Sequence, residues 1–173
     1  METMSNIDVC SVCVSGGIND PVHRGDAGHD LVAIGPPKII GSKINDRYYS
    51  RILFIEYDTG VVVEPSSDIF SLVYPRSSIT AKTNLLLGNS IGLIDTGYRG
   101  NIKLRFRYIP QPEDFVIIDG LLYFEINQER IYQKGDRIAQ LVFAKHVTTS
   151  LERVIIDTIS STKRGAGGFG STG

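Results

Sequence analysis

Tryptophan is absent from this 173-residue chain, cysteine and methionine occur twice each, and histidine occurs three times. Each scarcity closes a line of chemistry. Cys10 and Cys13 form a single C-x-x-C, too few thiols for a disulfide framework. A zinc site would need further Cys or His ligands at suitable spacing, and His23, His29 and His146 are scattered. VCSVCV therefore reads as a strand carrying small buried thiols. No apolar run is long enough to span a bilayer, and the opening METMSNIDVC is too mixed and polar for a secretion signal. The expectation is a soluble intracellular protein, cytoplasmic or nuclear. Charge excess is missing too: 18 Lys+Arg stand against 19 Asp+Glu, a net charge of -1. No global field draws the chain to nucleic acid or membrane, so any anion site must be local.

Helical periodicity is scarce, and what the sequence has instead is short apolar runs rich in Val, Ile, Phe and Tyr, bounded by Gly, Pro, Asn and Asp. Residues 51–57, 60–64, 69–74, 138–144 and 154–159 each read as strands. Ile102, Leu104, Phe106 and Tyr108 alternate with Lys103, Arg105 and Arg107, which predicts a strand with one wet face. Residues 115–126 read as a hairpin turning at Asp119-Gly120. The pattern is all-β, a barrel or jelly roll, in one domain. SSITAKTNLLL follows Pro75 and ends at Gly88, which predicts one short helix from Ser77 to about Leu87. The β domain is expected over residues 1–159. Residues 160–173, with five glycines and almost no apolar content, are expected to form a mobile arm.

Five segments carry chemistry. RGAGGFGSTG places Arg164, Phe169, Ser171 and Thr172 in a backbone free enough to wrap a ligand, with a guanidinium suited to phosphate and a ring suited to a base. YPRSS, residues 74–78, runs from a strand into the helix start, where N–H groups and hydroxyls can hold phosphate oxygens; taken alone, Ser77-Ser78 is only an N-cap. GNSIGLIDTGYRG, residues 88–100, carries one carboxylate, Asp95, and one tyrosine, Tyr98. AGHDL (27–31) and GDRIAQL (135–141) each read as a turn leading into a strand.

Together and in this order, the five segments resemble the five motifs of the trimeric dUTPase family, from Ala27 to the last residue. The resemblance implies a β jelly roll, a homotrimer whose sites each borrow a neighbour's C-terminal arm, and hydrolysis of dUTP to dUMP and diphosphate with Mg²⁺. Asp95 matches the carboxylate that activates the attacking water. Asp30 matches the acid that holds Mg²⁺ through water. Arg76, Ser77, Ser78 and Gln140 match contacts to the phosphate chain, and Arg164, Ser171 and Thr172 a clasp on the γ-phosphate. Asn89, Gly92, Ile94 and the backbone of a hairpin from Gly88 to Tyr98 match the uracil-pairing groups. Tyr98 would pack on the deoxyribose, and Phe169, between Gly168 and Gly170, would cap the base.

The sequence departs from the family pattern in three places. His29 stands where most relatives have Tyr and is expected to pack as the phenol does. Extra length between Pro36 and Arg51, and between Ile109 and Lys134, is expected to form surface hairpins. Two rivals remain. A dCTP deaminase would need a Glu where Arg105 stands, and an idle homologue serving as a nucleotide-sensing module would not need Asp30, Asp95, Tyr98 and Phe169 intact.

Overall fold

The computed structural model describes residues 17–23, 25–65 and 68–168. The Cys10/Cys13 strand and the arm residues Phe169 to Thr172 lie outside them. Among the described residues the chain forms eleven strands and one helix of a single turn. In chain order these are β1 (Ile18–Asn19), β2 (His29–Val32), β3 (Lys38–Lys43), β4 (Tyr48–Asp58), β5 (Ile69–Pro75), α1 (Ile79–Lys82), β6 (Leu85–Leu87), β7 (Gly92–Ile94), β8 (Lys103–Tyr108), β9 (Phe115–Ile118), β10 (Leu121–Glu125) and β11 (Arg137–Lys145). Two antiparallel sheets result, one ordered β1-β2-β11-β5-β7 and the other β6-β8-β4-β10-β9, with β3 on the opposite edge of β4. The all-β expectation holds.

The core lies between the sheets and follows from alternation. Along β8, Leu104, Phe106 and Tyr108 are buried while Lys103, Arg105 and Arg107 face water. Tyr57, Phe106 and Tyr132 meet edge to face with centroids 5.6 to 6.1 Å apart, closing the middle of the core. The β9–β10 hairpin turns at Asp119 (φ 51°) and Gly120 (φ 76°), the two positive-φ positions a tight hairpin requires.

Three expected elements differ. The helix is one turn rather than the expected Ser77 to Leu87. The Thr83 hydroxyl donates to the Ile79 carbonyl and accepts from Leu85 N–H, which closes the turn. Leu85 and Leu87 are buried around exposed Leu86, a period of two, and pair with β8. Residues 60–64 make a single bridge at Val61, whose carbonyl accepts from Ile102 N–H at 2.8 Å; Val61 and Val63 are fully buried without a ladder. Residues 154–159 form an extended segment and a 3₁₀ turn at Ile156–Thr158, with Val154, Ile155, Ile156 and Ile159 more than half exposed. A strand needs an edge to pair with, and this segment meets none within the described residues.

The two lengths of extra sequence do form hairpins, but they are not separate. β10 pairs with the start of β4 (Phe124 opposite Tyr49), and the Arg47 guanidinium at the β3–β4 tip pairs with Glu125 at 2.5 Å. Buried Asp114 anchors the base of this lobe, accepting from the Tyr108 hydroxyl and from Gln111 N–H, each at 2.7 Å.

Candidate active site

One group of candidate residues hangs from the connection between β6 and β7. The expected hairpin from Gly88 to Tyr98 is not one, because β6 pairs with β8 and β7 with β5, in different sheets. The connection therefore passes from one sheet to the other, held by Gly88 N–H on the Arg105 carbonyl at 2.8 Å and by Ser90 N–H on the Leu87 carbonyl at 3.1 Å. Ser90 takes φ 61° at its tip. Gly92 packs closely here: a Cβ would stand 3.2 Å from the Val73 side chain. After β7, Asp95 opens a turn closed by Tyr98 N–H to the Asp95 carbonyl at 3.0 Å, and its side chain is exposed. Arg99, which no motif reading singles out, pins this turn by donating to the Thr96 carbonyl at 2.7 Å and the Tyr98 carbonyl at 3.0 Å. The Tyr98 ring lies over Gly100, where any Cβ would collide with it. Asn89, Gly92, Ile94, Asp95 and Tyr98 line one cleft of about 460 Å³. Arg105 lines it too, stacked over Phe54 at 4.6 Å and paired with Glu56 at 2.9 Å, so a cation occupies the place where the deaminase rival needs a Glu.

A second group stands on the outer face of the five-stranded sheet. Asp30 on β2, Gln140 on β11 and Tyr74 on β5 are opposite one another in register and line a separate pocket with Gly28. A Cβ at Gly28 would press on the Gln140 side chain at 3.2 Å, so this glycine lets the glutamine lie against the turn. Just beyond β5, Arg76 Nε stands 3.2 Å from Asp30 Oδ1, and Arg137 Nη1 donates to Asp30 Oδ2 at 3.1 Å. Ser77 is exposed and Ser78 half-buried, with no capping bond from the Ser78 side chain to the short helix. A one-turn helix has little dipole to offer, so anion binding here would fall to side chains. His29 packs edge-on against Phe143 at 5.7 Å, with Nδ1 3.6 Å from the Asp20 carboxylate. Arg164 is exposed, and its Nε donates to the nearby Gly167 carbonyl at 2.9 Å.

The chain is 31% identical over 151 residues to the deoxyuridine 5'-triphosphate nucleotidohydrolase of Bifidobacterium longum, covering 87% of this chain and 78% of that protein. The dUTPase family model matches residues 121–173. This chain belongs to the dUTPase family. The fold agrees: the Staphylococcus bacteriophage 80alpha dUTPase solved with dUpNHpp superposes with a TM-score of 0.67 at 24% identity, over 96% of this chain and 99% of that one. A variant dUTPase of the S. aureus phage phi11, solved with a coordinated structural Mg(II) ion, superposes with a TM-score of 0.58 at 21% identity, over 84% and 96% of the two chains.

Within the dUTPase family fold, Asn89, Gly92, Ile94, Asp95 and Tyr98 thus line one cleft and Asp30 and Gln140 another that shares no lining residue with it, with Arg76 beside Asp30 and Arg164 in neither. Among the described residues, no three His, Cys, Asp or Glu side chains converge to hold a metal directly. Asp30 fits a water-mediated role: buried Oδ1 has Arg76 near it but no aligned hydrogen bond, so a hard oxygen donor keeps accepting capacity. No helix among the described residues is long and apolar enough to cross a membrane.

Proposed function

We propose that this dUTPase-family member hydrolyses dUTP to dUMP and diphosphate by in-line attack of an Asp95-activated water on the α-phosphorus, in sites shared between the chains of a homotrimer. The observation that carries the reading is the division of candidate residues into two clusters within one chain. In a homotrimer, the loop cluster of one chain and the ladder cluster of a neighbour would close on one nucleotide. Apolar surface supports the same view. On the outer face of the five-stranded sheet, Leu72 lies between Val142 and Leu93, next in line to the Asp30–Gln140–Tyr74 row. Leu93 is 65% exposed and Leu151, in the segment after β11, is 92% exposed. Covering each such side chain would gain roughly 1.5–3 kcal/mol, which a neighbouring protomer can supply.

In this mechanism the exposed Asp95 carboxylate accepts the proton of the attacking water; the role asks for placement, which Arg99 supports by pinning the turn. Arg76, Ser77, Ser78 and Gln140 hold the phosphate chain where negative charge develops. Asp30 would hold Mg²⁺ through water, and the ion when bound would draw charge from the triphosphate oxygens. Asn89, Gly92 and Ile94 present groups to the uracil edge, and Tyr98 packs on the sugar. Backbone pairing with uracil leaves cytosine with an unsatisfied mismatch, the closed loop excludes the thymine methyl, and Tyr98 leaves no room for a 2′-hydroxyl. A neighbour's Arg164, Gly168, Phe169, Gly170, Ser171 and Thr172 would close over base and γ-phosphate.

Diphosphate release from dUTP, dCTP, dTTP and UTP in the presence of Mg²⁺ tests this reading. Turnover of dUTP alone is the expected result. Release from dCTP or UTP at a comparable rate would remove the assigned selectivity, and tight binding of dUTP without release would favour the nucleotide-sensing module.

A further inference from the structure

We propose that Arg137 is a positioning residue for Asp30, keeping hold of one carboxylate oxygen while Arg76 passes from Asp30 to the triphosphate. The inference rests on the functional reading above and adds to it a residue and a step. It begins with a fault in the ladder. β11 pairs regularly with β2 at Gln140 opposite Asp30 and Ala139 opposite Leu31, but the register then slips, so that Arg137 rather than Ile138 stands opposite Val32. Ile138 and Ala139 are consequently buried side by side. In an unbroken strand the residue two before Gln140 would share its face; the bulge hands that place to Arg137. A half-exposed arginine is thereby aimed along the outer face at a carboxylate that is 15% exposed.

The two arginines do not hold Asp30 equally. Arg137 Nη1 makes an aligned hydrogen bond to Oδ2 at 3.1 Å, whereas Arg76 Nε lies 3.2 Å from Oδ1 without one. Arg76 also sits at the open end of β5 beside Ser77 and Ser78, the residues assigned to the phosphates. A polyphosphate offers Arg76 several anionic oxygens in exchange for one misaligned contact. Once Arg76 leaves, Oδ1 is free to accept from water ligands of the ion. Arg137 meanwhile prevents the carboxylate from turning about its own bond, as the outer partners of metal-associated carboxylates do.

Calorimetry of full-length protein with the non-hydrolysed analogue dUpNHpp, with and without Mg²⁺, separates this role from others. For Arg137→Gln, the gain in affinity that Mg²⁺ confers should shrink by about tenfold while Mg²⁺-free affinity stays within about threefold, and Arg137→Lys should recover part of the gain. Equal losses under both conditions would mark Arg137 as a direct phosphate contact or a merely structural residue, and an unchanged gain would mark it as a bystander; either overturns the proposal. Parent protein that fails to bind the analogue, or binds it without regard to Mg²⁺, would instead overturn the functional reading.

Discussion

Asp30 and Gln140 face one another across a strand ladder, whereas Asn89 lies between β6 and β7 and Asp95 and Tyr98 between β7 and β8, in two connections that each pass from one sheet to the other. The first cluster gains fixed charge geometry, because three neighbouring strands set the spacing of its side chains. The second gains a shaped loop. Its backbone is held by local bonds, with Gly88, Ser90 and Ile91 N–H donating to the Arg105, Leu87 and Asn89 carbonyls, and a loop held in this way can follow a ligand edge. Phosphate binding suits the ladder and base recognition suits the loop. The separation also means that a change in one cluster should disturb a different stage of the reaction from a change in the other.

The largest effect is expected in the loop cluster. Asp95→Asn should lower kcat by at least about a hundredfold while dUTP affinity stays within about tenfold, since the amide keeps the shape and loses the base. Steady-state and binding measurements on the same preparation decide it, and retained turnover would take Asp95 out of the role. The two clusters can then be set against each other. Asp95→Asn and Arg76→Ala chains, each inactive alone, should recover up to about a quarter of parent activity when co-assembled, because random mixing completes one site in four if the clusters meet between protomers. No recovery from a verified mixed trimer would place both halves of the site in one chain.

A smaller loss is expected from the segment that would close over both clusters. Removing residues 164–173 should leave the trimer and its melting temperature nearly unchanged and reduce hydrolysis sharply. Phe169→Ala should cost roughly five- to a hundred-and-fifty-fold in kcat/KM, the worth of about 1–3 kcal/mol of base stacking. Full activity in the truncated protein would make the tail a linker.

Much of this arrangement is legible in the sequence where local pattern and tertiary demand agree. The alternation of β8 and the Asp119-Gly120 turn are decided by side-chain period and by φ, and both stand as expected. Leu85-Leu86-Leu87 is ambiguous in sequence because an unbroken apolar run fits either period; only burial of the first and third residues against β8 selects the strand. Val154 to Ile159 carry strand propensity without an edge in their own chain, and propensity cannot supply one. The candidate residues were legible as a set of motifs, but their division into two clusters was not, since it depends on β6 and β7 pairing into different sheets. Arg137 was passed over for a related reason. A bulge turned it toward Asp30, and alternation alone would have chosen Ile138.

The smallest expected effect concerns the hairpin lobe, which belongs to neither cluster and should therefore alter stability without altering turnover. Burial, aided by the hydrogen bond to the Asp114 carboxylate, pushes the Tyr108 hydroxyl up to about 12. Asn127 N–H donates to the same hydroxyl at 3.1 Å. Tyr108→Phe takes this acceptor from Asn127 N–H and leaves Asp114 with Gln111 N–H alone, at a cost of about 1–3 kcal/mol at neutral pH. The pH dependence has a definite sign. The folded protein holds this proton more tightly than the unfolded chain, whose tyrosines titrate near about 10, so the stabilisation is complete below about pH 10 and is lost as pH rises toward 12. Tyr57 and Tyr132 are pushed up by burial as well, so alkaline destabilisation should persist in the variant with a shallower slope. Urea unfolding at pH 8 and at about pH 10.5, with dUTP turnover measured at pH 8, gives the comparison. An equal alkaline loss in Tyr108→Phe and parent would show that this hydroxyl does not carry the linkage. A fall in kcat at pH 8 would show that the lobe is coupled to the site after all.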